Sequence, residues 1–144
     1  MSPVSTVQTA LASAVSQLTL AGVPGARVDA ELLIGHVLDL NRGQVQSKAI
    51  TDAAITESQA ALITELVARR AAREPLQHIT GRAPFRSLNL AVGPGVFVPR
   101  PETELVVQFA IDALRAATVR EPVEGQPSGP IGVDLGTEIG RAHV

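Results

Sequence analysis

Hydrophobic spacing keeps one helical period from the start of this chain to about Pro75 and first changes there, which separates what the parts on either side can fold into. Before it, apolar residues fall at helical spacing: Val4, Val7, Leu11, Val15 and Leu18, then Val28, Leu32, Leu33, Val37 and Leu40. Such spacing lines one face of a helix, so both stretches are predicted as amphipathic helices. Gly22 to Gly25, with Pro24, separates them, and Asn41-Arg42-Gly43 ends the second. A short turn is expected at Val45 to Ile50. Thr56-Glu57-Ser58-Gln59 is a capping-box signature, in which hydroxyl and amide satisfy exposed backbone donors reciprocally. It predicts a long helix to about Arg73 that buries Leu62, Ile63, Leu66 and Val67. Arg69, Arg70 and Arg73 then complement the negative end of its dipole.

After Pro75 the pattern shortens. Leu76 to Thr80 is a strand candidate, Gly81 to Pro84 carries turn chemistry, and Leu88, Leu90 and Val92 alternate with more polar neighbours, so a β-hairpin is expected. Gly93-Pro94-Gly95 ends it. Pro101 suits the first position of a further helix, with Glu102 and Glu104 in its first turn. Leu105, Val106, Phe109, Ala113 and Leu114 give that helix an apolar face. Arg120 to Pro130 reads as a surface loop, and Ile131 to Leu135 as a buried strand leading into Gly136-Thr137. Backbone N–H groups at such a strand-end turn can hold a phosphate, a ribose or a carboxylate.

Composition removes several classes. The 144 residues are 45% hydrophobic and 18% charged, a globular balance. A formal charge of -2 gives no overall basic field for gripping nucleic acid, and an aromatic content of 2% leaves no platform for stacking bases. A protein or small-molecule partner is the better expectation. There is no cysteine, hence no disulfide or thiolate metal site. His36, His78 and His143 have no metal-site spacing. No secretory leader or membrane span is evident, so a soluble cytoplasmic protein, expected as a monomer, is the reading. Arg69, Arg70, Arg73, Arg82 and Arg86 could form a basic face for an acidic partner, but the simpler expectation is a solvated surface.

The motifs taken in order are more specific. Glu74-Pro75-Leu76-Gln77-His78-Ile79-Thr80-Gly81, then Phe85, then Val98-Pro99-Arg100-Pro101-Glu102-Thr103-Glu104, then Asp134-Leu135-Gly136-Thr137 closely resemble the HemK/PrmC family of protein-(glutamine-N5) methyltransferases. Asp29 to Leu33 resembles that family's second helix. The resemblance implies transfer of a methyl group from S-adenosylmethionine to the glutamine of the Gly-Gly-Gln motif in class I peptide chain release factors. A related branch, acting on a ribosomal protein, usually reads Arg-Ser-Pro-Ile where this chain has Arg100-Pro101-Glu102-Thr103. That contrast favours release factors.

The implied fold class is α+β: an N-terminal helical bundle, a β-hairpin linker, and the first helix and strand of a Rossmann-like class I methyltransferase domain. Residues 1–74 would dock the release factor, 75–98 would link, and 99–137 would begin the catalytic domain. Arg100, Pro101, Glu102, Thr103, Asp134, Gly136 and Thr137 are the implied cofactor-binding residues. The family's Asn-Pro-Pro-Tyr motif, which holds the substrate amide, does not occur here, so no catalytic residue is assigned and these residues alone are expected to be inactive. Cofactor binding is expected to be weak or lost, and the apolar face of the helix from Pro101 uncovered. Where the family continues Gly-x-Gly, this chain has Glu138 and Ile139. Residues 138–144 match the translation of a common sequencing-adapter string and are expected to be non-native. A module that docks release factors without chemistry is the alternative.

Overall fold

The computed structural model describes residues 5–117. Two compact units follow one another along the chain, the first ending at Thr80 and the second beginning at Gly81. Val4, the loop from Arg120 to Pro130, the strand from Ile131 to Leu135 and His143 lie outside the described residues.

The first unit is helical: α1 (Val7–Leu20), α2 (Ala26–Leu38), α3 (Arg42–Ile50), α4 (Glu57–Ala71) and α5 (Leu76–Thr80). Short polar side chains fix where α1, α3 and α4 begin. Each opens on a capping box, with Thr6 paired to Thr9, Asn41 to Gln44 and Thr56 to Gln59. The box at Thr56 is as expected. Asn41-Arg42-Gly43, expected only to end a helix, instead starts one: Asn41 Oδ1 accepts the Gln44 N–H at 3.0 Å and Gln44 Oε1 accepts the Asn41 N–H at 2.9 Å. The short turn expected at Val45 to Ile50 is thus part of a nine-residue helix.

Helices α1, α2 and α4 pack mutually, with α3 against α1 and α2. Leu18, Leu33 and Ile34 have no exposed surface, and burying each contributes about 1.5–3 kcal/mol. The buried stripe of α2 is Ala30, Glu31, Leu33, Ile34 and Gly35, whereas Val28 and Leu32 are 40% and 38% exposed. In α4, Ile63, Leu66 and Val67 are buried as expected, but Leu62 is 43% exposed.

The segment Leu76 to Thr80 is a helix and not a strand. Pro75 O accepts the N–H groups of His78 and Ile79 at 3.0 and 3.1 Å, and Ile79 joins the helical core. Leu76 and Ile79 are three apart, a helical interval, and five residues are too few for period alone to decide. His78 therefore lies in α5, outside the hairpin.

In the second unit the hairpin is β1 (Arg82–Phe85) with β2 (Leu88–Ala91), antiparallel, pairing Arg82 with Ala91 and Phe85 with Leu88. Gly81 to Pro84, expected as the turn, overlaps β1, and the turn falls at Arg86 and Ser87. Helix α6 (Pro101–Ala117) begins on the expected proline. Its Leu105, Val106 and Phe109 are 64%, 67% and 76% exposed.

Candidate functional site

Arg100, Pro101, Glu102 and Thr103 form one turn at the start of α6. Pro101 is the first helical residue, where its missing N–H costs nothing and its fixed φ favours the helix. Thr103 donates its N–H to Arg100 O at 3.0 Å, which closes the turn. Arg100 and Glu102 are exposed and Thr103 is half-buried. A guanidinium, a carboxylate and a hydroxyl are thereby presented from four successive residues. That donor and acceptor set suits a polar ligand carrying its own carboxylate, ammonium and hydroxyl groups. Asp134, Gly136 and Thr137, the other implied cofactor residues, lie outside the described residues.

The arginines of the first unit are neither a free basic face nor merely solvated. Arg69 makes a two-point contact with Glu74, Nε to Oε2 at 2.8 Å and Nη2 to Oε1 at 2.6 Å. That hydrogen-bonded pairing raises the guanidinium's affinity for its proton and holds the Glu74 carboxyl below its ordinary value. Arg70 reaches Asp29 of α2. Arg73, in the left-handed region with a φ of 72°, donates from Nη2 to Ala21 O and Gly22 O at 2.9 and 3.1 Å. Arg70 thus ties the end of α4 to α2 and Arg73 ties it to the connection between α1 and α2, while Arg69 holds the segment that follows α4.

Glu31 escaped the sequence reading. Its side chain has no exposed surface and accepts from Arg27 Nε at 3.1 Å, Arg42 Nε and Nη2 at 3.0 and 2.8 Å, and Gln46 Nε2 at 3.1 Å. Burial alone would raise this carboxyl. Hydrogen bonds from Arg42, Gln46 and Arg27 outweigh burial and hold it below its ordinary value. Arg27, four residues earlier on the same helix, was the available signal.

Between α1 and α4 runs a groove of about 190 Å³, lined by Thr9, Ser13, Thr64, Ala10, Ile63 and Val67. It mixes hydroxyls with aliphatic surface and holds no ionisable side chain, so it can bind but has no acid–base chemistry. Among the described residues no group of His, Asp or Glu gathers as metal ligands, and no helix is long and apolar enough to cross a membrane.

Comparison with known proteins decides which family carries this bundle. The model of the PrmC N-terminal domain matches residues 9–81, nearly the span of the helical unit. The chain belongs to the PrmC/HemK family. It is 50% identical over 137 residues to the release factor glutamine methyltransferase of Streptomyces coelicolor, covering 93% of this chain and 47% of that protein. With the release factor glutamine methyltransferase of Bifidobacterium longum it shares 41% over 133 residues, 90% of this chain and 45% of the relative. The human MTRF1L release factor glutamine methyltransferase is 34% identical over 119 residues, 83% of this chain and 34% of its own length. The chain spans about half the length or less of these PrmC-family relatives.

Proposed function

We propose that the protein to which these residues belong transfers a methyl group from S-adenosylmethionine to the glutamine amide of the Gly-Gly-Gln motif in class I release factors. Its helical unit would dock the release factor. The observation that carries this reading is the coincidence between the matched family domain, residues 9–81, and the compact bundle that ends at Thr80. On this reading the helical unit docks, running past the expected boundary at residue 74 to Thr80, the hairpin and the residues to 98 link, and 99–137 begin a Rossmann-like class I methyltransferase domain, with 138–144 a non-native tail. A cytoplasmic monomer belongs to the same reading.

The cofactor supplies an electrophilic methyl group. Arg100, Glu102 and Thr103 would form one polar wall of its pocket, with Pro101 fixing the helix start beneath them. Asp134, Gly136 and Thr137 are proposed to bind the same cofactor. A carboxamide nitrogen is a weak nucleophile because its lone pair is delocalised, so it must be held in line with the methyl carbon. The family assigns that task to Asn-Pro-Pro-Tyr, which these residues do not contain. Docking without methyl transfer is therefore the proposed capacity of the 144 residues themselves.

Incubation with a class I release factor and labelled S-adenosylmethionine tests this division, with the full-length Streptomyces coelicolor relative as positive control. The relative should label the glutamine and the present chain should not. Glutamine labelling by the present chain would overturn the division of labour. Failure of the relative to label the factor would count against the substrate assignment.

A further inference from the structure

Glu104 closes the same Val98 to Glu104 stretch that supplies Arg100 to Thr103, yet its side chain is engaged elsewhere. Its Oε1 accepts the backbone N–H of Arg86 at 3.0 Å, and its carbonyl oxygen accepts from Arg86 Nη1 at 3.5 Å. Arg86 is the first residue of the two-residue turn between β1 and β2, and its φ is 54°. An L-residue with a side chain pays about 1–2 kcal/mol in that left-handed region, where glycine is usual. Arg86 also lies outside the strand pairing, so its N–H has no ladder partner. Glu104 answers the unpaired amide with a charge-assisted acceptor.

The contact is solvent-exposed, so its effect on stability is small. Its effect on geometry is larger, because it joins the tip of the hairpin to the fourth residue of α6 across 18 positions. We propose that Glu104 is a positioning residue: by holding the hairpin tip it fixes the start of α6, so that Arg100, Glu102 and Thr103 present one constant edge to S-adenosylmethionine. This deepens, and rests on, the reading of Arg100 to Thr103 as a cofactor wall.

Amide hydrogen exchange and proton–nitrogen correlation spectra of the 144-residue chain test it, using Glu104→Ala and Glu104→Gln. In the native chain the Arg86 amide should exchange at least about tenfold more slowly than an open-chain amide. Glu104→Ala should bring it to the open-chain rate and shift the resonances of Arg100, Glu102 and Thr103. Glu104→Gln, which keeps an oxygen acceptor, should restore both in large part. Unmoved resonances of Arg82 to Phe85 in β1 and of residues 108–115 in α6 will show that the hairpin and the helix remain folded in the variants.

An Arg86 amide at the open-chain rate in the native chain would overturn the proposal, and that result needs no variant. So would Glu104→Ala resonances at Arg100 to Thr103 that match the native ones, or a Glu104→Gln variant indistinguishable from Glu104→Ala. The cofactor reading fails separately. It fails if replacing the residue aligned with Arg100 in the Streptomyces coelicolor relative leaves its KM for S-adenosylmethionine unchanged.

Discussion

Arg70 Nε donates to Asp29 Oδ2 at 2.7 Å across 41 residues of sequence, fastening the last turn of α4 to the first turn of α2. The two side chains are 18% and 14% exposed, so the screening that makes most surface pairs nearly worthless is reduced here. The same guanidinium donates to Glu74 O at 2.9 Å. Arg70→Ala should therefore cost about 1–3 kcal/mol, seen as a lower urea midpoint at unchanged slope. A native midpoint in that variant would show that the contact does not hold the bundle.

Acid should loosen the bundle through Glu31. Its carboxyl is held below the ordinary value in the fold, so its stabilisation is fully present above the unfolded value and is lost as pH falls through the folded one. Glu74, held low by its hydrogen bonds from Arg69, acts in the same direction. Urea midpoints of the native chain should drop as pH is lowered from about 5, and the Glu31→Gln curve should be flatter over the same range. Parallel curves would assign the acid response to other carboxyls. At neutral pH the substitution should itself cost about 1–3 kcal/mol, since the Arg and Gln donors lose their carboxylate acceptor.

Gly35→Ala should destabilise, although alanine is the better helix former. A Cβ at Gly35 would collide with Leu40 O, where the chain turns sharply at the end of α2 and Asp39 takes a φ of 54°. Leu40 donates its N–H to Gly35 O at 2.9 Å in that turn, so the oxygen cannot retreat without loosening the bond. The net cost should be about 1–3 kcal/mol, as for other overpacked sites, against a propensity gain of about 1. A raised melting temperature would mean that the turn can relax.

Adjacent leucines in α2 should behave differently. Leu33 has no exposed surface and Leu33→Ala should cost about 2–5 kcal/mol, whereas Leu32 is 38% exposed and Leu32→Ala should cost clearly less. Equal losses in thermal denaturation would contradict the stripe described for α2.

Local chemistry was legible in the sequence wherever a few neighbouring residues determine it. The box at Thr56 and the proline at the start of α6 are of this kind, and so is the Arg100 to Thr103 turn, whose members are consecutive. Misreadings have equally physical causes. In α2 the buried stripe includes Ala30, Glu31 and Gly35, which carry little or no hydrophobic signal, so the spacing of large apolar residues points instead toward Val28 and Leu32. Helix α5 is shorter than two helical turns, so alternation and helical spacing could not be told apart. Glu31 collects partners from 4, 11 and 15 residues away, and only the first is a helix neighbour. Nothing local announced that Arg86 would adopt a left-handed turn, because its acceptor sits in another element.

Calorimetric titration of a class I release factor into the 144-residue chain would test most directly whether the helical unit is a docking domain. Saturable binding is predicted, and it should survive Arg100→Ala and Glu102→Ala, because residues outside the bundle are not needed for it. Absence of binding, under conditions in which the Streptomyces coelicolor relative binds the same factor, would contradict the docking role.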